Sequence, residues 1–200
     1  MRIAGPRLTL RYPDPADAPA LFALARDPAV TRYFSWGPYT DVAQPVAYVE
    51  GLPAKREAGE LLDFLVEDAE HGAVGITGLS GLSRRDRRCV VGSWLGHRYW
   101  GSGLNRESKA LIAGLAFAHL GMKRLGSYAA AVNGRSQVAL ERIGFRREGT
   151  LLDFHRHGDR VYDVVSFAMT RAAWERSPLR TVTVRVEGAP PPAWDVRGGA

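Results

Sequence analysis

The chain has 200 residues, 46% of them hydrophobic and 24% charged, a balance typical of a folded domain with its own core. The net charge is +6, but most of it is dispersed arginine, and no nucleic-acid-binding motif accompanies the densest cluster, Ser83–Arg88, so nucleic acid is not an expected partner. No apolar run approaches the ~20 residues of a membrane span and no secretion signal is visible, which favours a cytoplasmic protein without a membrane partner. Cys89 is the single cysteine, which excludes an internal disulfide.

Hydrophobic periodicity predicts strands and helices in a defined order along the chain. The first predicted element is a strand at Arg7–Tyr12, followed by a helix that begins at Asp14 and Pro15 and ends at about Arg26. An aromatic loop at Thr31–Asp41 then leads to a second helix from Val42 to about Ala58. Three strands follow at Leu61–Asp68, Ala73–Leu82 and Cys89–Gly96. The remaining elements are a helix from Leu104, a strand at Arg124–Val132, a short helix at Arg135–Ile143 that Gly144 ends, and strands at Phe145–Leu152 and Arg160–Thr170.

This order predicts the α/β class, with one central twisted mixed sheet and helices on both of its faces. The hairpins come first, and the helix from Leu104 joins two strands as a β-α-β unit. Residues 1–176 are expected to form a single domain. The composition changes in residues 177–200, where Thr181–Gly188 could form one strand and the Pro- and Gly-rich remainder is expected to be a flexible tail.

Two glycines stand one residue apart in the stretch GHRYWGSGLNRES, where a predicted strand gives way to a predicted helix. Such a junction is suited to phosphate, because backbone amides and the positive end of the helix dipole meet there. A nucleotide P-loop would need lysine where Ser102 stands, and a dinucleotide fingerprint would need glycine where Arg106 stands. The remaining pattern is Arg-x-x-Gly-x-Gly, formed by Arg98, Gly101 and Gly103.

This pattern resembles the acyl-CoA loop of the GNAT superfamily of N-acyltransferases. A second block, VNGRSQVALERIGFRREG at Val132–Gly149, is similar to the branch that includes the ribosomal-protein N-terminal acetyltransferases. It matches that branch in Asn-x-x-Ser, an apolar helix, Gly-Phe and a strand with Glu-Gly. The element order over residues 7–171 also fits, so the resemblance implies the GNAT fold and acetyl-CoA as cofactor.

The resemblance also implies which residues hold the cofactor. Amides of the loop would bind the pyrophosphate, and Gly101 and Gly103 would let bare backbone approach it. Arg98 and Arg106 would add positive charge. The cofactor-binding residues expected are Trp94, Leu95, Arg98, Tyr99, Trp100, Gly101, Ser102, Gly103, Leu104, Arg106, Asn133 and Ser136. For Asn133 and Ser136, helix capping is an alternative role that can coexist with cofactor binding.

The reaction implied is direct attack of a neutral primary amine on the thioester in a ternary complex. It needs a route for the amine's proton, donors for the carbonyl oxygen and a proton for the departing thiolate. Ser136 is the candidate donor to the sulfur. Val90 stands where the branch often has glutamate, so the usual base is absent. Ser93 could hold a water in its place, a carboxylate from elsewhere could substitute, or water could take the proton once the reactants are held together.

The acceptor is expected to contact aromatic residues of the family's substrate-lining loop. The substrate-binding residues expected are Tyr33, Phe34, Trp36, Tyr39 and His155. Two histidines two residues apart, His155 and His157, could suggest a metal, but no third ligand has suitable spacing, so no metal is expected. The resemblance leaves open whether the amine belongs to a protein N-terminus or to a small molecule.

Two further questions stay open at this point. Because Val90 replaces the expected glutamate, a non-catalytic acyl-CoA-binding sensor or scaffold is the alternative to an enzyme. A monomer or a homodimer is expected, since Thr181–Val186 could add a strand to a partner subunit.

Overall fold

The computed structural model describes residues 1–197, and residues 198–200 of the expected flexible tail lie outside that range. The strands are β1 (Arg2–Ala4), β2 (Leu8–Arg11), β3 (Leu61–Asp68), β4 (Gly72–Ser83), β5 (Arg88–Leu95), β6 (Arg124–Ala130), β7 (Arg146–His157), β8 (Arg160–Thr170) and β9 (Arg185–Glu187). The helices are α1 (Ala18–Ala25), α2 (Pro28–Thr31), α3 (Ala43–Glu57), α4 (Leu104–Gly114), α5 (Gly134–Arg142) and α6 (Arg171–Glu175). None of these helices is long and apolar enough to cross a membrane.

All nine strands belong to one sheet, in the spatial order β7-β8-β6-β5-β4-β3-β2-β1-β9. Only β5 and β6 pair in parallel, and every other neighbouring pair is antiparallel. The mixed sheet and the β-α-β unit of β5, α4 and β6 are therefore confirmed. The sequence missed β1, because three residues are too few to show an alternation. It also ended the first strand of the last hairpin too early, since β7 remains paired with β8 as far as His157.

The helices cover both faces of the sheet, as predicted. α4 and α5 share one face, where Leu111 and Leu140 belong to the same buried cluster as Val91 of β5. α1 and α3 cover the other face, where Leu21 and Val49 pack against strands β3 and β4. Because side chains alternate along a strand, neighbouring residues of β5 reach opposite faces. One strand can therefore supply groups both to the α4 side and to the α1–α3 side.

Strands β5 and β6 pair over only three positions before they separate. Their register runs from Arg88 opposite Arg124 to Val90 opposite Gly126, and it stops there. Beyond that point β5 continues with β4 as far as Leu95, and β6 continues with β8. The two inner strand edges therefore diverge and open a gap in the middle of the sheet.

A carboxylate on α4 binds the start of β2, three strands away from β5 in the sheet. Glu107 Oε1 accepts hydrogen bonds from the backbone amides of Arg7 and Leu8, each at 2.8 Å. These two amides open β2, so the contact ties the first turns of α4 to a strand from the beginning of the chain. The glycine loop that precedes α4 consequently stands on a rigid support.

The carboxy-terminal segment packs against the domain as far as Arg197. β9 pairs with β1, which makes it an edge of the same sheet. Trp194 is fully buried, and its indole Nε1 donates to the Arg56 carbonyl at the end of α3 (3.2 Å). Arg84 donates to the Ala193 carbonyl at 2.6 Å. Residues 189–197 thus differ from the flexible tail expected from composition, because one large aromatic side chain holds them in the core. The domain boundary after residue 176 stays a prediction.

We expect Trp194→Ala to lower the free energy of unfolding by about 3–5 kcal/mol, the usual cost of removing a buried aromatic side chain. Urea denaturation followed by circular dichroism measures this loss. Val132→Ala, at a site that is 67% exposed, is the control and should change stability by less than about 0.5 kcal/mol. A Trp194→Ala protein as stable as the wild type would show that the segment does not hold its packed position in solution.

Candidate active site

The loop before α4 presents bare backbone to solvent. Gly101 and Gly103 have φ angles of 79° and 86°, the left-handed region that glycine tolerates best. A Cβ atom added to either glycine would meet nothing within 4 Å, so the space beside them is open. Within residues 1–197, neither amide donates to a carbonyl or a side chain. Both amides stand at the positive end of α4 and can donate hydrogen bonds to an anionic ligand such as a pyrophosphate.

This loop opens into a cavity of about 600 Å³ that reaches the gap between β5 and β6. Most of the predicted cofactor residues meet there. The predicted residues on its wall are Tyr33, Phe34, Ser93, Trp94, Leu95, Trp100, Gly101, Gly103, Asn133 and Ser136. Residues expected to bind the cofactor and residues expected to bind the acceptor therefore line one continuous space.

α5 forms the wall of the cavity opposite the glycine loop. Asn133 caps this helix, since its side-chain oxygen accepts from the Ser136 amide (3.2 Å), and both residues also line the cavity. The capping role is thus present, and it coexists with a place for both residues on the cavity wall. Arg135 stacks over the ring of Trp100, with its Cζ 3.3 Å from the ring centroid. This contact joins α5 to the loop at the mouth of the cavity.

Four of the predicted cofactor residues face a second, smaller cavity. Arg98, Tyr99, Ser102 and Leu104 line it together with Arg7 and His71. Tyr99 and Leu104 are buried there, so only their backbone can serve the main cavity. Arg106 is exposed and donates to the Pro178 carbonyl at 3.5 Å. The basic side chains on the main cavity are instead those of Arg135, Arg142 and Lys109, which were not among the predicted site residues.

The edge of β5 that faces the gap is defined by one hydrogen bond. Ser127 Oγ on β6 donates to the Val91 carbonyl (3.1 Å), so the Val91 peptide group points toward β6. Since peptide directions alternate along an antiparallel strand, those of Ser93 and Leu95 point the same way. The Leu95 carbonyl already accepts from the Trp100 indole (2.9 Å). The Trp94 carbonyl lies against Gly75 of β4, which leaves Ser93 as the residue whose peptide group faces the gap.

Lys109 lies at the bottom of this gap, where charged side chains are rarely found. It is 5% exposed, and its Nζ donates to Ser93 Oγ at 2.6 Å. Burial lowers the pKa of the Lys109 amine to about 7. The sequence carried one signal for it, a lysine inside the apolar run SKALIAGLAF, all of which is buried in the structure.

The α1–α3 face of the gap carries the aromatic residues predicted to contact the acceptor. The Trp36 ring lies 5.7 Å from that of Trp94 and 5.3 Å from that of Tyr39. Tyr33 lines the cavity directly, and its ring lies 6.4 Å from Tyr162 of β8. His155 lies opposite Tyr162 in the register of the last hairpin, beyond the cavity wall.

The last hairpin also contacts the aromatic loop. His157 Nε2 lies 2.8 Å from the Gly37 carbonyl, close enough for a hydrogen bond. This contact links the tip of the β7–β8 hairpin to the segment between α2 and α3. The aromatic loop is therefore anchored on the side away from Trp94.

A buried carboxylate stands on the same face. Asp63 on β3 accepts a 2.5 Å hydrogen bond from the Tyr48 hydroxyl of α3, and its side chain lies over Gly78. Gly78 is opposite Gly92 of β5, where an added Cβ atom would meet nothing within 4 Å, so the space next to this strand pair is open. Burial raises the pKa of Asp63 to about 6. A carboxylate from another part of the chain was one expected substitute for the absent base, but no sequence pattern marks Asp63.

Comparison with known proteins identifies the family to which this chain belongs. A family model for the acetyltransferase (GNAT) domain matches residues 7–146. The chain belongs to the GNAT acetyltransferase family. It is 28% identical over 168 residues to N-acetyltransferase p20 of Bacillus licheniformis, covering 82% of this chain and 93% of that one. It is also 28% identical over 101 residues to YdaF of Bacillus subtilis, named as a proposed ribosomal N-acetyltransferase, covering 50% of this chain and 55% of YdaF.

A solved structure agrees with this assignment. The crystal structure of an acetyltransferase from T. thermophilus superposes with a TM-score of 0.78 at 26% identity, over 90% of this chain and 94% of that one. The protein is therefore an acetyl-CoA-dependent N-acetyltransferase with the GNAT fold. The family confirms acetyl-CoA as the donor, and the alternative of a non-catalytic sensor is not retained.

We expect Gly103→Ala to raise the Kd for acetyl-CoA by at least roughly tenfold, because the added Cβ keeps the pyrophosphate away from the loop amides. Isothermal titration calorimetry measures this change. Gly72→Ala is a matched control, since Gly72 has a φ of 68° and equally open surroundings. Both variants should lose about 1–2 kcal/mol of stability from backbone strain. Equal acetyl-CoA affinity in both would remove Gly103 from the binding site.

Asp63 should make stability depend on pH between about 4 and 6. Its folded-state pKa of about 6 lies above the usual value, so the folded protein binds the proton more tightly and loses stability as pH rises through that window. Asp63→Asn keeps an acceptor for Tyr48 and does not titrate. The variant should gain up to about 3 kcal/mol over the wild type by pH 6.5, measured by urea denaturation. Asp159→Asn, at a fully exposed site, should show no such trend; a parallel trend in both would contradict the burial of Asp63.

Proposed function

We propose that this enzyme transfers the acetyl group directly from acetyl-CoA to a primary amine while both substrates are bound. One observation carries the proposal: a single cavity is lined by the glycine loop at one end and by Tyr33 and Phe34 at the other. A covalent acetyl-enzyme is not needed when both reactants share one space. Holding them together also supplies a large part of the rate enhancement.

In this proposal the donor lies along α5 and enters the gap between β5 and β6. The amides of Gly101 and Gly103 bind the pyrophosphate, and Arg135 and Arg142 add positive charge on the same cavity. The pantetheine arm would lie in the gap, where β5 and β6 no longer pair with each other. Asn133 would contact the arm from the α5 side, as the family resemblance implies.

The peptide group of Ser93 would then face the thioester. An amide that points into a dry gap stabilises the carbonyl oxygen as negative charge develops on it during attack. The Ser136 hydroxyl lines the same cavity from the first turn of α5 and remains the proposed proton donor to the departing thiolate.

The acceptor would approach from the α1–α3 face, between the aromatic loop and Trp94. Aromatic rings bind the body of an acceptor and also attract a cation. Asp63 lies on this face without an ion-pair partner among residues 1–197, which favours a molecule that carries positive charge. The motif resemblance and the similarity to YdaF favour a protein N-terminus, and a small-molecule amine is the other class.

A free-thiol release assay with acetyl-CoA and a panel of primary amines tests the proposal. The panel should contain short peptides with free alanine or serine N-termini, polyamines, amino sugars and amino acids. Amine-dependent CoA release with intersecting initial-velocity lines is the expected result. Parallel lines, typical of an acetyl-enzyme, would contradict direct transfer, and release with no dependence on any amine would contradict the acceptor class.

For an accepted amine, Trp36→Ala should raise the acceptor KM by roughly tenfold, because the aromatic contact with the acceptor and with Trp94 is lost. The Kd for acetyl-CoA should not change, since Trp36 is not among the residues that line the cavity of the glycine loop. Phe22→Ala serves as the control, because this half-buried ring on α1 contacts Arg26 and not the aromatic loop. An unchanged KM in Trp36→Ala would remove Trp36 from the acceptor site.

A further inference from the structure

We infer that Lys109 is the proton acceptor of the transfer reaction, acting through the Ser93 hydroxyl. This inference rests on the proposed function, since it concerns the proton that the attacking amine must lose. It assigns a base to a site whose β5 strand has valine at position 90, where related enzymes often carry glutamate.

The position of Lys109 is the first argument. Its side chain leaves α4 toward the gap between β5 and β6 and lines the same cavity as the glycine loop and Ser136. Nζ lies 2.6 Å from Ser93 Oγ, and Ser93 is the residue whose peptide group faces the thioester in the proposed complex. The amine, the hydroxyl and the reacting carbonyl are thus neighbours along one strand edge.

The lack of a charge partner is the second argument. Among the described residues, Ser93 Oγ is the only group that bonds to Lys109 Nζ, and no carboxylate pairs with it. An ammonium ion needs three acceptors, whereas a neutral amine satisfies this site and keeps its lone pair. A lysine in such surroundings is neutral in a large fraction of molecules near pH 7, where an exposed lysine is not.

Charged and titratable groups around Lys109 do not replace it in this role. On α4 itself, Glu107 is occupied by the Arg7 and Leu8 amides. From α5, Arg135 and Arg142 reach the cavity, but arginine does not give up its proton. Three titratable groups remain: Tyr33 on the cavity wall, Cys89 on β5, whose pKa burial raises to about 12, and Asp63. Asp63 lies on the acceptor face, but it accepts from the Tyr48 hydroxyl and is not among the residues that line the cavity.

The proton balance of the step is closed by these groups. The amine nitrogen forms a bond to the carbonyl carbon and gives one proton to Ser93 Oγ. The Ser93 hydroxyl, turned so that it donates to the lone pair of neutral Lys109 Nζ across the same 2.6 Å contact, passes its own proton to that nitrogen. The C–S bond then breaks, and the thiolate receives the proton that Lys109 took up, either directly from the ammonium or from Ser136, which the ammonium then reprotonates. The products are the amide and CoA with a free thiol, and no other reactant is required.

The protonation state of Lys109 can be measured without any acceptor. The chain has three lysines, Lys55, Lys109 and Lys123, so protein labelled with ε-¹³C lysine gives three resonances. One of the three should titrate near pH 7. Loss of that resonance in Lys109→Met assigns it. Three lysines that all titrate near 10 would overturn the inference.

The catalytic role is tested with Lys109→Met and Lys109→Gln. Glutamine can still donate to Ser93 Oγ but cannot accept the proton, so both variants should lose at least about a hundredfold in kcat with an accepted amine. The limb of the kcat–pH profile near pH 7 should disappear, while the Kd for acetyl-CoA changes less than about twofold. Lys123→Met, at an exposed site, is the control. Wild-type kcat in Lys109→Gln would show that only the hydrogen bond matters and would overturn the inference.

If no amine in the panel is acetylated, slow hydrolysis of bound acetyl-CoA provides the comparison, because attacking water must also lose a proton. Hydrolysis should then be faster in the wild type than in either Lys109 variant. Equal rates would overturn the inference. The failure of the proposed acceptor class would thus be seen separately from the failure of the Lys109 role.

Discussion

The parting of β5 and β6 is the constraint on which the rest of the site depends. A parallel pair that stops after three positions leaves peptide groups without strand partners in the middle of the sheet. Each unsatisfied group in a buried place costs about 1–3 kcal/mol, so such an edge persists only where other contacts support it. Here the Ser127 hydroxyl and the Trp100 indole each donate a hydrogen bond to one carbonyl of β5. The peptide group of Ser93 is left for the ligand.

In the proposed complex the two faces of the gap bind different substrates. On the α4–α5 side, a loop of bare amides and two arginines suit the phosphates of acetyl-CoA. On the α1–α3 side, the indoles of Trp36 and Trp94 and the Asp63 carboxylate suit an aminated acceptor. Because side chains alternate along β5, Ser93 and Trp94 serve these two sides from adjacent positions. In the proposed complex the reaction takes place where the faces meet, and the strand register sets that meeting point.

Much of the fold could be predicted because each element has a local signal. Glycine at positions 101, 103 and 144 marked the turns that have positive φ angles in the structure, and apolar alternation marked β3 to within its observed bounds. The carboxy-terminal segment was harder, since its proline-rich composition outweighed one tryptophan. Burial of Trp194 depends on a tertiary pocket beside α3, and no local pattern reports such a pocket.

The same difference between local signals and tertiary contacts applies to the site. The backbone geometry of the loop could be predicted, because the glycine pattern and the strand-to-helix junction are local. The groups that handle charge could not, since they converge from distant segments: Asp63 reaches Tyr48 across the α3–β3 packing, and Lys109 reaches Ser93 across the gap. Arg98 shows the converse, because it belongs to the motif by sequence yet its side chain faces a different cavity.

A crystal structure of the enzyme with a non-hydrolysable thioether analogue of acetyl-CoA tests this account most directly. The account predicts that the pyrophosphate accepts from the Gly101 and Gly103 amides, that the pantetheine arm passes between β5 and β6, and that the acyl carbonyl lies beside Ser93. An analogue that occupies the cavity of Arg98 and His71, or that leaves the gap closed, would contradict it.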